Sequence, residues 1–191
     1  MTFSMTTNRA SYFLIVDLEA TCSDDGFIPS GEMEIIEIGA VMLNSSTWEI
    51  DSEFQQFVKP VRHPQLTKFC TELTTIRQED VDKASGFPEV ISQFKEWIEL
   101  FPRNIFCSWG NYDKKQFLQD CEFHKVPYPF GSEHRNIKNE FSEYLGVSKG
   151  FGMAKALQHL GIELQGTHHR GIDDARNIAA IYRYMKTQKP K

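Results

Sequence analysis

The segment Phe13-Leu-Ile-Val-Asp-Leu-Glu-Ala-Thr-Cys22 governs the interpretation of the whole chain. Residues 12–18 are apolar on both alternating faces until the first acid, which predicts a central β-strand buried on both sides. Asp17 and Glu19 are two residues apart, and such residues point to the same face of a strand. Adjacent carboxylates repel each other, and a hard divalent cation relieves that repulsion. The spacing fits a metal site, and it also fits two solvated acids at an ordinary strand end.

The composition is that of an ordinary soluble globular protein. The chain has 191 residues, of which 40% are hydrophobic and 25% charged, which allows one domain with a sizeable core. No apolar run approaches the roughly 20 residues that span a bilayer, so we expect no membrane association and a cytoplasmic location. The four cysteines show neither zinc nor redox-motif spacing, and we expect reduced thiols. They are Cys22, Cys70, Cys107 and Cys121.

The domain organisation is expected to be simple. Residues 1–10 are polar and predict a flexible tail rather than a secretory signal, residues 11–186 a single domain, and residues 187–191 a second tail. No repeat or low-complexity linker interrupts the domain. The formal net charge of −5 does not point to nucleic acid. The negative net charge is only weak evidence against nucleic-acid binding, because bound divalent cations would add positive charge inside an acidic cleft.

Hydrophobic periodicity predicts an α/β fold. Strands are expected at residues 12–18, 35–43 and 53–58, joined by short turns into an antiparallel meander, and at 105–109. A clear apolar stripe from Phe87 to Phe101 predicts an amphipathic helix that serves as scaffold. Further helices are expected at residues 66–73, 77–83, 111–124, 137–145, 152–160 and 171–186.

Two further acids occupy positions where the chain enters a helix. Asp113 lies in the first turn of the helix after the fourth strand, where an acid is also favourable simply because of the helix dipole. On the last helix, spacing at 100° per residue turns Asp174 inward and Asp173 toward solvent with Asn177. His169 lies five residues before Asp174 on a loop, and a loop histidine suits proton transfer. We interpret His168 as a surface residue.

Together these residues form a pattern with a defined chemistry. Acids that converge on one sheet edge are what two-metal hydrolysis of a phosphodiester requires. One ion lowers the pKa of the attacking water, and both ions stabilise charge on the attacking and leaving oxygens. A histidine then serves as the base that removes the proton from that water.

The pattern resembles the DEDDh group of 3′→5′ exonucleases, and within it the Eri1 family of 3′ exoribonucleases. The resemblance implies a ribonuclease-H-like fold with a central mixed β-sheet flanked by helices. It extends over most of the chain from Tyr12 to Met185. The motifs that carry it are Ile15-Val-Asp-Leu-Glu-Ala-Thr-Cys22, Glu34-Ile-Ile-Glu-Ile-Gly39, Phe54-Gln-Gln-Phe-Val-Lys-Pro60, Ser108-Trp-Gly-Asn-Tyr-Asp113 and His169-Arg-Gly-Ile-Asp-Asp-Ala175.

The resemblance also implies the roles of individual residues. Two Mg²⁺ or Mn²⁺ ions are expected on four acids, namely Asp17, Glu19, Asp113 and Asp174. His169 is expected to be the general base. The terminal nucleotide of the substrate is expected beside Glu19, Ala20, Thr21, Thr75 and His169.

The chain departs from the family at one segment. Leu73-Thr-Thr-Ile76 stands where relatives often have L-T-G-I, and Thr75 in place of glycine is expected to narrow the substrate pocket. Glu37 interrupts a buried strand, and we interpret it as structural, hydrogen-bonded to a helix end or loop. No extra nucleic-acid-binding module is expected before the nuclease core, so the recognition of particular structured RNAs by longer relatives is not transferred.

The favoured hypothesis is a 3′→5′ exonuclease that releases nucleoside 5′-monophosphates from single-stranded RNA or short overhangs. A DNA exonuclease or oligonucleotide nuclease, a catalytically idle nucleic-acid-binding domain and a metal phosphatase are the alternatives. RNA is preferred over DNA as partner, and no protein partner is indicated. Phe27, Tyr112 and Phe151 are candidates for stacking on a base. A solvated helix face followed by a tail is preferred over phosphate contacts for the basic residues near the C-terminus, which are Arg176, Arg183, Lys186, Lys189 and Lys191.

Overall fold

A five-stranded mixed sheet forms the centre of the computed structural model, which describes residues 11–148 and 150–189. In spatial order the strands are β3, β2, β1, β4 and β5. The antiparallel meander of the first three strands is confirmed, and β4 and β5 extend the sheet in parallel. The strands are β1 (Tyr12–Ala20), β2 (Ile35–Asn44), β3 (Ile50–Phe57), β4 (Asn104–Ser108) and β5 (His134–Asn136).

Within the described residues there are seven helices, which agree with the predicted segments to within a few residues. Those on the two faces of the sheet are α3 (Phe87–Glu99), α4 (Tyr112–His124), α5 (Ile137–Leu145), α6 (Met153–Leu160) and α7 (Gly171–Thr187), and the two shorter ones are α1 (Lys68–Thr74) and α2 (Gln78–Asp82). A 3-10 turn, Ser30–Glu32, lies in the predicted loop after β1. The predicted tail at residues 1–10 and the last two residues of the chain lie outside the described residues.

The two faces of β1 pack into different cores. Phe13 and Ile15 belong to the core that α5, α6 and α7 cover, while Leu14 and Val16 belong to the core under α3 and α4. Asp17 and Glu19 continue the first row, because alternate residues of a strand share a face. The catalytic candidates on β1 therefore project toward α7.

The structure also describes the cysteines and the lengths of the helices. The four cysteines are free thiols, three of them buried. Within the described residues no helix is both long and apolar enough to cross a membrane.

Candidate active site

The predicted acids and His169 meet in a cleft of about 400 Å³ at the end of β1. Ala20 also lines this cleft, as predicted. The carboxylate oxygens of Asp17, Glu19 and Asp174 include atoms that all lie within 4.8 Å of one another. Residues far apart in sequence thus converge on one small volume.

Asp113 enters the cleft from the opposite helical layer. Its side chain is buried, and Phe117 and Cys121 are buried on the same face of α4, as the spacing predicts. Its Oδ1 atom accepts a hydrogen bond of 3.1 Å from the backbone N–H of Leu18. That bond ties the start of α4 to β1 between the two acids of the strand.

Asp174 has one carboxylate oxygen with partners and one without. Oδ2 accepts a hydrogen bond of 3.0 Å from the backbone N–H of His169, and it lies 2.8 Å from Nδ1 of His168. Oδ1 is buried and has no hydrogen-bond partner among the described residues. Buried carboxylate oxygens are normally paired, so this atom fits a cation ligand. A donor set made of carboxylate oxygens suits a hard ion such as Mg²⁺ or Mn²⁺.

Burial raises the pKa of each of the four acids, and repulsion between carboxylates adds to the shift at Asp17 and Glu19. Burial, followed by the charge of Asp174, raises the pKa of Glu19 to about 9. Burial raises the pKa of Asp113 to about 6, although its hydrogen bonds act in the opposite direction. The pKa values of Asp17 and Asp174 are also raised, and burial is the main cause for each. A bound cation would favour the charged form of all four groups.

His169 adopts an uncommon backbone conformation beside this cluster. Its φ angle of 65° lies in the left-handed region, which residues other than glycine rarely adopt. Its ring stacks on that of His168 with 4.0 Å between ring centroids. Burial, reinforced by the neighbouring His168, lowers the pKa of His169 below its usual value. The imidazole is therefore neutral at pH 7 and able to accept a proton.

His168 occupies a different place from the one predicted. Instead of a free surface position, the structure gives it a contact with Asp174, although its side chain is still 39% exposed. Nothing in the sequence distinguishes this histidine from a surface residue, because the contact arises from the turn of the loop before α7.

Glu37 confirms the structural interpretation made from its position. Its carboxylate is fully buried and accepts hydrogen bonds from the backbone N–H of Gly171 at 3.1 Å and from Nε of Arg170 at 3.1 Å. Nε2 of Gln55 donates a third bond of 2.8 Å. Glu37 thus holds the first turn of α7, which carries Asp174, against the sheet.

Two residues predicted to contact the substrate, Thr21 and Thr75, do not line the cleft. Thr21 is fully buried, and its hydroxyl accepts a hydrogen bond of 2.9 Å from the N–H of Glu34. Thr75 ends α1 in the left-handed conformation, with φ at 61°, and its side chain is exposed. The glycine of relatives fits such a helix end without strain, so the substitution changes backbone preference there. Among the described residues it is Leu73, not Thr75, that lines the cleft.

The rest of the cleft wall was predicted only at Tyr112 and in the segment that begins with Leu73. It comes from segments that only the tertiary fold brings together, and consists of Leu18, Cys22, Met33, Leu73, Trp109, Gly152 and Met153, together with Tyr112 and His168. Of the three aromatic candidates for base stacking, Tyr112 lines the cleft and is 46% exposed. Phe27 packs its edge on His63, and Phe151 packs on Phe141.

The basic residues of α7 are paired with acids away from the cleft. Arg176 contacts Glu53 and Asp173, Arg183 contacts Glu49, and Lys186 contacts Glu140. The expectation that these residues form a charged surface face is in keeping with these pairs. Lys191 lies outside the described residues.

Comparison with known proteins identifies the class. The model of the family described as Exonuclease (RNase_T) matches residues 14–182. The chain is 35% identical over 178 residues to human 3'-5' exoribonuclease 1, an alignment that covers 89% of this chain and 51% of the relative. It is 38% identical over 192 residues to human ERI1 exoribonuclease 3, covering 96% of this chain and 55% of that protein.

A solved structure gives the same result. The nuclease domain of 3'hExo, described as a DEDDh family member bound to rAMP, superimposes with a TM-score of 0.85 at 34% identity, covering 93% of this chain and 92% of that one. The fold is the ribonuclease-H-like fold of the DEDDh exonucleases. The chain belongs to the exonuclease family, and the resemblance to the Eri1 group is confirmed. It spans about half the length of the curated relatives it matches.

Proposed function

We propose that this chain is a 3′→5′ exonuclease that hydrolyses RNA and releases nucleoside 5′-monophosphates. The observation that carries the proposal is the buried Oδ1 of Asp174, which lacks a hydrogen-bond partner among the described residues and belongs to a cluster of four acids. Relatives named exoribonucleases, at 35% and 38% identity, support the reaction and favour RNA over DNA.

The acids would hold two divalent cations, Mg²⁺ or Mn²⁺, on Asp17, Glu19, Asp113 and Asp174. Such ions supply Lewis acidity toward water and charge stabilisation for a phosphodiester. The acids fit this task because burial and mutual repulsion disfavour their charged forms until positive charge is present. Oδ1 of Asp113 already accepts a backbone hydrogen bond, which fixes the orientation of that carboxylate.

His169 would take the proton from the attacking water. Its neutral imidazole is available for this step because burial and His168 lower its pKa. The hydrogen bond from its backbone N–H to Asp174 places the base beside the acid cluster. General-base catalysis of this kind contributes about 10²- to 10⁴-fold to the rate.

The apolar part of the cleft would receive the 3′-terminal nucleoside. Ala20, Met33 and Leu73 lie on its wall with the exposed ring of Tyr112. Apolar walls and a ring face suit a base, since stacking on aromatic side chains is tolerant of sequence. Glu19, which lines the same cleft, would contact the terminal sugar.

The organisation and location of the protein are part of the same proposal. One sheet with helices on both faces supports residues 11–186 as a single domain. The four free thiols support a cytoplasmic location, because cysteines stay reduced in the cytoplasm. Cell fractionation with an antibody against the chain tests the location.

The reaction is tested with 5′-labelled single-stranded RNA and the matching DNA, in Mg²⁺, in Mn²⁺ and in chelator. We expect a ladder that shortens one nucleotide at a time, disappears in chelator and is lost in Asp17→Asn. Asp24→Asn, which removes an exposed acid from a loop outside the cleft, is the matched control. Binding without shortening of either polymer would instead support the idle binding domain, and faster DNA cleavage would support the DNA exonuclease.

A further inference from the structure

Lys138 lies beside one end of the cleft and makes no ion pair with any acid that the structure describes. It is the second residue of α5, and its aliphatic chain lies between Gly110 and Gly150. A Cβ atom placed on Gly150 would lie 2.8 Å from its Cε, and one on Gly110 would lie 4.0 Å from its Cδ. Across the described parts of the chain no carboxylate forms an ion pair with Lys138. By contrast, the neighbouring Arg135 contacts Glu140.

The sheet topology defines the two ends of the cleft. The start of β2 pairs with the end of β1, and the parallel strands β4 and β5 end at the same edge of the sheet. Met33, just before β2, therefore lies on one side of the acids, and Trp109, just after β4, lies on the other. Lys138 follows β5, one strand beyond Trp109.

Two hydrogen bonds join Lys138's surroundings to the cleft wall. Nε1 of Trp109 donates to the carbonyl of Phe151 at 3.1 Å, which holds the segment before α6 against β4. Nδ2 of Asn136 donates to Oδ1 of Asn111 at 3.2 Å, which holds the start of α5 beside the start of α4. Gly110 and Gly150, which flank Lys138, are next to these bonded segments.

The direction of a bound strand follows from the proposed function, on which this inference rests. The terminal nucleoside occupies the end with Ala20, Met33 and Leu73, and the acids surround the scissile phosphodiester. The preceding nucleotide must then leave past the other end, along Trp109 and toward Lys138. Lysine is a point charge suited to a phosphate, and phosphate contacts position a strand without reading its sequence.

We propose that Lys138 binds the phosphodiester immediately 5′ of the scissile one, and that Trp109 lines the passage of the penultimate nucleotide. The competing route is a second groove lined by Arg62, Lys115 and Phe123. The guanidinium of Arg62 lies 3.6 Å from the ring centroid of Phe123. This groove adjoins Met33, whose carbonyl accepts hydrogen bonds from Gln116 and Gln119. It therefore lies on the side of the cleft where the bound RNA would have its 3′ end.

The test compares two substrates, of which only one has a nucleotide on the 5′ side of the scissile phosphodiester. One is a short single-stranded RNA. The other is the p-nitrophenyl ester of thymidine 5′-monophosphate, in which a p-nitrophenyl leaving group takes the place of the upstream nucleotide. Lys138→Met is expected to lower kcat/KM on RNA about tenfold, mainly through KM, because a phosphate contact remote from the chemistry acts on binding. Hydrolysis of the ester is expected to stay unchanged, and Lys138→Arg is expected to recover most of the RNA activity.

A chemical change in the substrate gives an independent readout. One uncharged methylphosphonate at the linkage 5′ of the scissile one is expected to slow the wild type by a similar factor. It is expected to slow Lys138→Met no further, because the interacting cation is already absent. Lys115→Met is the matched control and is expected to leave both substrates unaffected.

Three results would overturn the inference. An equal loss on RNA and on the ester would mean that Lys138 acts on the reacting end or on folding, and an unchanged RNA rate would mean that it binds no phosphate. A loss in Lys115→Met alone would place the strand in the second groove. If the wild type hydrolysed neither substrate, the proposed function itself would fail, and that outcome differs from the other three.

Discussion

The backbone of Gly171 packs so closely on Gly39 that neither position has room for a side chain. A Cβ atom on Gly39 would overlap the carbonyl carbon of Gly171, and one on Gly171 would lie 2.9 Å from the carbonyl oxygen of Asp17. Gly39 also pairs with Asp17 across the sheet. The contact therefore sets the distance between the helix that carries Asp174 and the strand that carries Asp17.

Replacing Gly39 with alanine should separate α7 from the sheet. The overlap is with backbone atoms, which cannot rotate away, so we expect a loss of about 3 kcal/mol or more in the free energy of unfolding. Urea denaturation measures this loss. Gly131→Ala is the control, since a Cβ atom there meets nothing within 4 Å. Equal stability of the two variants would show that the contact is looser than described.

Replacing Glu19 with glutamine should remove activity and stabilise the metal-free protein. We expect at least a roughly 100-fold loss in kcat, because a carboxylate of the proposed metal site is gone. In chelator at pH 8 the free energy of unfolding should rise by roughly 1–3 kcal/mol. Wild-type Glu19 is ionised in the unfolded chain and must take up a proton to be buried, because its pKa is about 9 in the folded protein, whereas glutamine is already neutral. Thermal melts with and without Mg²⁺ test the second expectation, and a variant that melts lower than wild type in chelator would contradict it.

The acid cluster should also give the metal-free protein a characteristic pH dependence. Its pKa values are raised on folding, to about 9 for Glu19 and about 6 for Asp113. The folded state therefore binds more protons than the unfolded state, and stability falls as pH rises from about 4 toward about 9. Mg²⁺ should reduce this slope, since it stabilises the charged carboxylates. Melting temperatures measured across this range in chelator and in Mg²⁺ test the prediction, and identical slopes would refute it.

The two adjacent histidines should differ in their contribution to catalysis. His169→Ala should lower kcat by about 10²- to 10⁴-fold. His168→Ala removes a hydrogen bond to Asp174 and the ring stacked on His169, but no proposed proton acceptor, and about a three- to tenfold loss is expected. Because the pKa of His169 is lowered, the loss of wild-type kcat on the acid side of the pH profile should occur below about pH 6.5. This acid-side loss should be absent in His169→Ala. A profile unchanged in His169→Ala would assign the base elsewhere.

Periodicity was sufficient to predict most of the fold. The alternation around Asp17 and Glu19 placed both acids on one face, and the stripe from Phe87 to Phe101 gave α3. Glu37 was predictable as structural, because a lone acid in a buried strand requires donors nearby. The strand β5 was missed, since His134–Asn136 is three polar residues whose pairing depends on β4.

Side-chain contacts formed by loops were not predictable in the same way. His168 turns toward Asp174 because of the loop that precedes α7, and Thr21 turns toward Glu34 because β1 and the segment before β2 meet there. Asn177 was expected at the surface, yet it is buried, and its amide donates to the carbonyl of Gln165. Helical spacing gives the direction of a side chain, but it does not say whether a loop covers that direction.

The left-handed backbone at His169 has a consequence for the evolution of this position. Glycine would adopt the same conformation without the cost of about 1 kcal/mol that a side chain incurs there. A glycine at this position should therefore give a protein that folds at least as well and has no imidazole to accept a proton. Natural selection for stability and natural selection for turnover thus act in opposite directions on a single codon.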